Sequence, residues 1–164
     1  MLRLRFLNLT AATLIALLFL AGCSSRTVVF VGEAEPDDFS LSFQMPQEFD
    51  FTIAEEEGGQ HDFALELTYF AEQMQDWEEV PLYYILTRPQ GEEDRRFRFK
   101  VRDKGEWRGE LLANEHDRVF EQDFANGIDL APGKYNFKLY GDNQNEGKPI
   151  LGIVKVTFKV YRAD

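Results

Sequence analysis

The thiol of Cys23, the only cysteine of this 164-residue chain, has the clearest chemical potential. A thiol is readily alkylated once it ionises, and a single one excludes a disulfide framework or a CxxC metal site. His61 and His116, the only histidines, lie far apart and in neither HxxH nor HExxH spacing, which leaves little for zinc or for acid–base chemistry. The reactive residues therefore favour one covalent modification over catalysis.

The residues before Cys23 predict export. Arg3 and Arg5 precede an apolar run over residues 6–20. This run is shorter than the roughly 20 residues that span a bilayer as a permanent helix. A basic start followed by a short apolar run is instead typical of a secretory signal peptide.

The end of the apolar run resembles the lipobox of bacterial lipoproteins, and it reads Leu20, Ala21, Gly22 and Cys23. In that motif the thiol is alkylated by diacylglycerol, and a peptidase then cleaves before the cysteine. The resemblance implies a cleaved signal peptide over residues 1–22 and a mature protein that carries palmitate-type acyl chains on Cys23. Each buried methylene contributes about 0.8 kcal/mol, so two or three chains anchor a protein stably without a transmembrane helix.

Charge and the first mature residues predict where the protein resides. Acidic residues outnumber basic ones 29 to 18, and loss of Arg3 and Arg5 with the signal peptide changes the net charge from −11 to −13. Such a charge disfavours nucleic acid and close contact with anionic lipid. Residues 23–26 form a lipidated tether. Ser24 is not the aspartate that retains enterobacterial lipoproteins in the inner membrane, so the resemblance implies an outer-membrane lipoprotein that faces the periplasm.

Apolar and polar residues alternate along most of the chain after residue 26. The full sequence is 44% hydrophobic. Period-two alternation with regular turn signals predicts one antiparallel β-sandwich of about eight strands over residues 27–162, immunoglobulin-like or jelly-roll-like. Residues 71–79 are predicted as a short helix or a loop, and residues 82–86 as a central strand covered on both faces. Strands are predicted at 27–31, 39–45, 49–53, 62–69, 82–86, 97–101, 119–120, 135–139 and 154–160.

Four short phrases follow one another in the second half of the chain: PQG at 89–91, KGEWRG at 104–109, LAPGKY at 130–135 and ILGIV at 150–154. Their order is similar to that in the gliding-motility lipoproteins called GldH, found in Bacteroidetes. The resemblance covers the last half in detail and the whole chain in outline. It implies a role in gliding motility and the associated type 9 secretion apparatus, with envelope proteins as partners and no catalytic residues.

Two of these phrases also have a structural interpretation. Gly105 and Gly109 could bend the backbone around a packed Trp107. Pro132 and Gly133 predict a type II turn that directs the ring of Tyr135 inward.

A basic stripe is the main candidate binding feature. Alternation directs Phe97, Phe99 and Val101 inward and aligns four cations on the outer face, which are Arg96, Arg98, Lys100 and Arg102. On an acidic protein, this reversal of sign favours docking of an anionic partner, either protein or lipid A. The alternative is pairing with acidic side chains of a neighbouring strand, such as Glu66.

The remaining candidate sites are better explained by a structural role than by binding or catalysis. Trp77, Tyr83 and Tyr84 could form a platform for sugar rings, although strand core and rim are the simpler interpretation. A polar loop could ligate calcium or be a solvated hairpin tip; its residues are Asp142, Asn143, Asn145 and Glu146. Carboxylates are plentiful, but no pair has the fixed separation of a glycosidase. The sequence thus predicts a non-catalytic protein without metal, cofactor or small-molecule substrate, and the alternative is a carbohydrate-binding or envelope-stabilising lipoprotein unrelated to motility.

Overall fold

The computed structural model describes residues 26–142 and 149–163, and strands dominate both ranges. Eight strands have seven or more residues. They are β1 (Val28–Ala34), β3 (Gln47–Ile53), β4 (Gly59–Phe70), β5 (Glu79–Arg88), β6 (Gly91–Lys100), β10 (Asp117–Leu130), β11 (Gly133–Gly141) and β13 (Ile153–Arg162). Two-residue strands complete the set: β2 (Ser40–Leu41), β7 (Arg102–Asp103), β8 (Glu106–Trp107), β9 (Glu110–Leu111) and β12 (Ile150–Leu151). Three short 3₁₀ helices occur at Asp37–Phe39, Glu55–Glu57 and Ala71–Met74.

The strands form two principal sheets. The five-stranded sheet has the order β1-β13-β4-β10-β9, and the four-stranded sheet has the order β3-β11-β5-β6. Neighbouring strands in both sheets are antiparallel. The prediction of an all-β antiparallel sandwich is therefore confirmed. Strand β6 pairs only with β5 and forms one edge of the four-stranded sheet.

Aromatic rings fill the space between the sheets. Alternation along β3 buries Phe49, Phe51 and Ile53 and exposes the residues between them. Beside them in the same sheet, Phe137 of β11 stacks on Phe158 of β13 from the facing sheet, with ring centroids 4.0 Å apart and an angle of 6° between their planes. This stack joins the two sheets at the centre of the core, because each ring belongs to a different sheet.

We call the end of the sandwich at which the described chain begins the tether end, after the tether predicted over residues 23–26. Here the N–H of Arg162 donates to the carbonyl of Thr27, 2.9 Å away. At the same end, Arg88 of the four-stranded sheet donates to the carbonyl of Asp129 in the five-stranded sheet at 3.0 Å. These contacts place the start of the described chain beside the last residues of β13.

The opposite, far end is closed by the segment that follows β1. The N–H of Gly152 donates to the carbonyl of Phe39 at 2.9 Å, and the N–H of Gly141 donates to that of Ser42 at 3.2 Å. Strands β11 and β13, of nine and ten residues, run between the ends. At about 3.4 Å per residue, the two ends lie roughly 30 Å apart.

Two local predictions were wrong. Residues 39–45 do not form a strand: Asp38 and Phe39 have φ of 53° and 52°, only Ser40–Leu41 pair, and Phe43 and Met45 are exposed. Residues 71–79, predicted as a short helix or a loop, contain a 3₁₀ helix over Ala71–Met74 and then a loop up to the start of β5 at Glu79. Strand β5 is central, as predicted, but Tyr83 and Ile85 on its outer face are only half-buried because no further layer covers them.

The KGEWRG phrase builds a tight corner at the far end. Gly105 and Gly109 have φ of 85° and 83°, the left-handed region that favours glycine. The Tyr69 hydroxyl donates to the carbonyl of Arg108 at 2.6 Å, and burial raises the pKa of Tyr69 to about 12, so it remains a donor. Trp107 packs beside Tyr69, with ring centroids 6.2 Å apart. The phrase is thus a structural unit that holds the β7–β8 hairpin on β4.

We expect Gly109→Ala to destabilise the domain more than Gly105→Ala. A Cβ on Gly109 would lie 2.3 Å from the carbonyl oxygen of Val119, whereas one on Gly105 would meet nothing within 4 Å. Both variants incur the left-handed backbone cost of about 1–2 kcal/mol, and only Gly109→Ala adds a backbone clash. Urea unfolding of the two variants measures the difference, and equal losses would contradict the clash.

The LAPGKY phrase directs Tyr135 inward, as predicted. The ring is buried, and its hydroxyl donates to the carbonyl of Ala131 at 2.6 Å. Gly133 has φ of 151° rather than the roughly 80° of a type II turn, so the predicted turn type was wrong. The difference arises because Gly133 is already the first residue of β11 and pairs with Ile53.

Candidate functional surface

Three of the four predicted cations lie on the outer face of β6. Arg96, Arg98 and Lys100 all expose more than half of their side chains, and Arg98 is 66% exposed. The register pairs them with Tyr83, Pro81 and Glu79 of β5. Because β6 is an edge strand, these cations lie at the border of the four-stranded sheet, towards the far end.

The cations are paired, but not with the predicted carboxylate. Arg96 contacts Asp142 at 2.9 Å, whereas Arg98 and Lys100 share Glu79 at 3.9 and 3.8 Å. The predicted partner Glu66 lies on the five-stranded sheet and contacts Lys159 there at 2.8 Å. Two cations around one carboxylate leave a local excess of positive charge, and exposed pairs at such distances contribute little to stability.

Arg102 does not belong to the stripe, so its inclusion was wrong. The N–H groups of Val101 and Arg102 both donate to the carbonyl of Glu78, which ends the alternation of β6 at Lys100. The Arg102 guanidinium stacks over the Trp107 ring at 4.1 Å and donates to the carbonyl of Gln75. Its role is therefore local packing of the far-end corner.

A side-chain amide covers part of the β6 edge. Gln122 of β10 donates to the carbonyl of Arg98 at 2.9 Å and accepts from the N–H of Lys100 at 3.0 Å. One amide thus supplies the donor and the acceptor that an added strand would supply. This blocks strand addition at the end of β6 while leaving its cationic side chains exposed.

The predicted aromatic platform does not form. Tyr84 is buried in the core with its ring stacked on Phe137 at 5.2 Å, and Trp77 packs against the core. Only Tyr83 lies on the outer face. The three residues separate because Tyr83 and Tyr84 are neighbours in one strand and so face opposite sides of the sheet.

Tyr83 instead belongs to a different aromatic group on the outer face. Its ring centroid lies 5.6 Å from that of Tyr140, and Phe43 contacts both rings at 6.0 and 5.8 Å. The Arg96 guanidinium lies 5.7 Å from the Tyr83 ring. Alternation along β11 already places Tyr140 outward, since Tyr135, Phe137 and Leu139 face inward. Phe43 could not be found in this way, because its segment is not a strand.

A shallow cavity adjoins this aromatic group. It has a volume of about 160 Å³ and is lined by Pro81, Arg96, Phe97, Arg98 and Asp142. A cavity of about 150 Å³ holds a ring the size of benzene. The cavity therefore has room for a group of about that size, with two guanidinium groups and one carboxylate in its lining.

A polar network on the five-stranded sheet holds the first described residue. The Arg26 guanidinium donates to both carboxylate oxygens of Asp123 at 2.8 Å, contacts Glu121 at 3.3 Å and stacks over the Tyr161 ring at 4.1 Å. The Asp123 hydrogen bond raises the pKa of Arg26 and outweighs burial. Arg26 is thus fixed to the sheet three residues after Cys23. In the sequence it is distinguished only by its position at the end of the predicted tether.

Glu121 is at the centre of the same network. Lys159 contacts it at 2.7 Å, and the Tyr161 hydroxyl donates to it at 2.9 Å. Burial would raise the pKa of Glu121, but the hydrogen bonds from Lys159 and Tyr161 and the charges of Lys159 and Arg26 outweigh burial and lower it.

Because the pKa of Glu121 is lower in the folded state, its ionised form stabilises the domain above the unfolded value of about 4.3. That contribution is lost as the pH falls through the folded pKa. We expect Glu121→Gln to reduce the free energy of unfolding by about 1–2 kcal/mol at pH 7 and by much less near pH 3. Urea unfolding at both pH values measures this. An equal loss of stability at the two pH values would contradict a stabilising role for the ionised carboxylate of Glu121.

The two histidines lie in different surroundings. His61 is buried with Nδ1 2.9 Å from the Gly59 carbonyl, while His116 is exposed on a turn. In residues 26–142 and 149–163, no group of three or more His, Cys, Asp or Glu side chains is placed to hold a metal ion.

The same ranges contain no helix long and apolar enough to cross a membrane. Several predicted residues lie outside the described part of the chain: Leu20, Ala21, Gly22, Cys23, Asn143, Asn145 and Glu146.

Comparison with known proteins gives structural likeness only. No protein-family model and no curated protein matches the chain. The chain is similar to the CBM36-1 domain of a multidomain xylanase from the hindgut metagenome of Trinervitermes trinervoides, with 13% identity, a TM-score of 0.40 and coverage of 83% of this chain and 91% of that domain. It is also similar to β-fructofuranosidase from Schwanniomyces occidentalis, with 11% identity, a TM-score of 0.40 and coverage of 87% of this chain and 35% of that one.

Proposed function

We propose that the protein is a non-catalytic, membrane-anchored lipoprotein that acts as an accessory or structural component of the cell-envelope gliding and type 9 secretion machinery. The lipobox that ends at Cys23 and the four phrases shared with GldH lipoproteins support this role. The observation that carries it is the separation of two features: Arg26 is fixed at the tether end, and the exposed cations lie towards the far end. The protein would therefore work by positioning a docking surface.

The length of the tether sets how the domain sits on the membrane. Only Ser24 and Ser25 separate Cys23 from Arg26, and an extended chain spans at most about 10 Å over these three residue steps. With Arg26 held by Asp123, the tether end stays close to the lipid and the far end extends roughly 30 Å away. Outer-membrane anchoring on the periplasmic face would present the far end to other envelope proteins.

The strand order supports a jelly-roll over an immunoglobulin-like topology. Counted among the eight long strands, the five-stranded sheet contains the first, eighth, third and sixth, and the four-stranded sheet contains the second, seventh, fourth and fifth. Two interlocked Greek keys produce this order in an eight-stranded jelly roll. The long strands β10 and β13 pair on either side of β4. Such a sandwich is suited to hold two distant surfaces at a fixed separation.

One observation favours the alternative of a carbohydrate-binding lipoprotein unrelated to motility. Tyr83, Tyr140 and Phe43 form an aromatic group on an outer sheet face, and sugar rings stack on exposed aromatic rings. The neighbouring Arg96 and Asp142 carry hydrogen-bonding groups suited to hydroxyls. A pull-down that enriches one polysaccharide would support this alternative.

Affinity purification of the lipidated protein from cells tests the proposed function. We expect gliding-motility lipoproteins to co-purify with the wild type and to be lost with Arg98→Glu, which reverses a cation towards the far end. Lys134→Glu makes the same change in charge on β11 near the tether end and should leave co-purification intact. Loss of the partners in both variants, or in neither, would argue against docking by the stripe.

A further inference from the structure

We propose that six residues form a docking surface for a protein segment that carries apolar side chains flanked by carboxylates: Phe43, Met45, Tyr83, Tyr140, Arg96 and Arg98. We call this the far-end surface. The inference deepens the proposed function and rests on it for the orientation of the domain. It names the chemistry of the partner, which the proposed function leaves open.

The exposed apolar part of this surface is held in place. Phe43 is 39% exposed and Met45 is 55% exposed, although both are large apolar residues. The carbonyl of Ser42 accepts from Gly141, and the Ser42 hydroxyl accepts from the N–H of Met45 at 3.1 Å. The Phe43 ring rests on Tyr83 and Tyr140. The segment held in this way exposes apolar side chains to water, which is unfavourable unless a partner covers them.

The composition of the surface is that of a protein interface. Aromatic residues, methionine and arginine are enriched at interfaces, and tyrosine and arginine are frequent among the residues that dominate binding energy. The far-end surface contains three aromatic residues, one methionine and two arginines. The three rings are tilted by 33–47° relative to one another and offer no flat platform, an arrangement that suits interdigitated side chains better than a stacked sugar.

The anchoring membrane does not fit as the occupant. Tyr140 lies at the far end of β11, next to Gly141, while Arg26 is held at the end of the sandwich where β13 finishes. The two positions are separated by roughly 25 Å along the strands. With Cys23 in the bilayer, the far-end surface faces away from that bilayer.

The charges of the far-end surface indicate which groups flank the apolar side chains of the partner. Arg98 and Lys100 share the single carboxylate of Glu79, so positive charge is in excess at Arg98. Asp142 balances Arg96, and Asp94 lies beside Tyr83. The cavity between Arg96 and Arg98 admits one side chain. Because Asp142 already pairs with Arg96, the Arg98 guanidinium is the group in the lining that suits a partner's carboxylate. An acidic partner segment would also be steered to this patch and repelled from the rest of an acidic protein.

Photocrosslinking in intact cells, followed by direct binding, tests the proposal. A benzophenone amino acid replaces Phe43 in the full-length, lipidated protein, and mass spectrometry identifies the crosslinked peptide. The control position is Leu111, which is 52% exposed on β9 of the other sheet. We expect a peptide from one protein at Phe43, absent at Leu111, that contains apolar residues beside Asp or Glu.

A synthetic version of that peptide then binds the purified protein. We expect Arg98→Glu and Met45→Ser each to weaken binding by about tenfold or more, while Lys134→Glu leaves it unchanged. Substituting Lys for the acidic residue of the peptide should restore binding to the Arg98→Glu variant. Circular dichroism of each variant verifies that the domain is folded.

Several outcomes would overturn the proposal. In the crosslinking experiment, they are products at Phe43 with glycan or lipid only, the same products at Leu111, or no crosslinked peptide at all. In the binding experiment, it is a peptide whose affinity is unchanged by Arg98→Glu and Met45→Ser. Failure of the proposed function is distinguishable. If Cys23 carries no lipid, the anchoring role fails even when the peptide binds; if Cys23 is lipidated and no peptide binds, only the docking inference fails.

Discussion

Replacement of Cys23 by serine will leave the protein without lipid and with its signal peptide uncleaved. A serine hydroxyl is far less nucleophilic than a thiolate, so diacylglycerol transfer and the cleavage that follows it are both lost. Metabolic labelling with palmitate should show complete loss of label, and the uncleaved precursor should run as a larger band by about 22 residues.

The neighbouring Ser25→Ala is the matched control for this experiment. It lies in the same tether and should retain label, cleavage and membrane association. Labelled protein in the Cys23→Ser variant would contradict the lipobox interpretation. Normal cleavage of the signal peptide in the Cys23→Ser variant would contradict it as well, because the predicted cleavage follows lipid transfer.

Phe158→Ala should destabilise the domain by about 3–5 kcal/mol, the usual cost of removing a buried phenylalanine ring. Phe158 is fully buried, stacks on Phe137 at 4.0 Å and contacts Phe63 at a centroid distance of 5.3 Å. Its loss opens a cavity between the two sheets. Since domains of this size are stable by about 5–15 kcal/mol, the variant will be close to unfolding at 37 °C.

Urea unfolding of the domain without its signal peptide measures this loss. Leu111→Ala is the control, because Leu111 is half-exposed on β9 and its removal should cost no more than about 0.5 kcal/mol. A Phe158→Ala variant within 1 kcal/mol of the wild type would show that the interior repacks and that the stack does not hold the sheets together.

The core of the sandwich was predictable because period two fixes which side chains face inward. Phe49 and Phe51, Phe97 and Phe99, and Phe137 with Leu139 all face the interior as alternation requires. The same rule gave the correct outward direction of Arg96 and Arg98. It was wrong at Arg102, where one carbonyl accepts two N–H groups and the strand ends.

Alternation predicts that Arg96, Arg98 and Tyr140 face outward, but it does not predict that they form one surface with Phe43 and Met45. Phe43 belongs to a segment whose apolar spacing imitates a strand, yet the left-handed conformations of Asp38 and Phe39 turn it out of the sheet. Its contacts with Tyr83 and Tyr140 join three separate parts of the chain, a long-range arrangement that no local pattern encodes. The Arg26 network is similar, since Asp123 and Tyr161 lie about a hundred or more residues away from Arg26.

The central claim is that one end of the domain is anchored by lipid while the other contacts envelope proteins. Crosslinking and mass spectrometry on intact cells with a lysine-reactive reagent tests it most directly, because Lys100 lies on the stripe towards the far end and Lys134 lies near the tether end. The account predicts links from Lys100 to proteins of the gliding and secretion machinery and few or none from Lys134. Links that favour Lys134, or no link from Lys100 to any envelope protein, would contradict it.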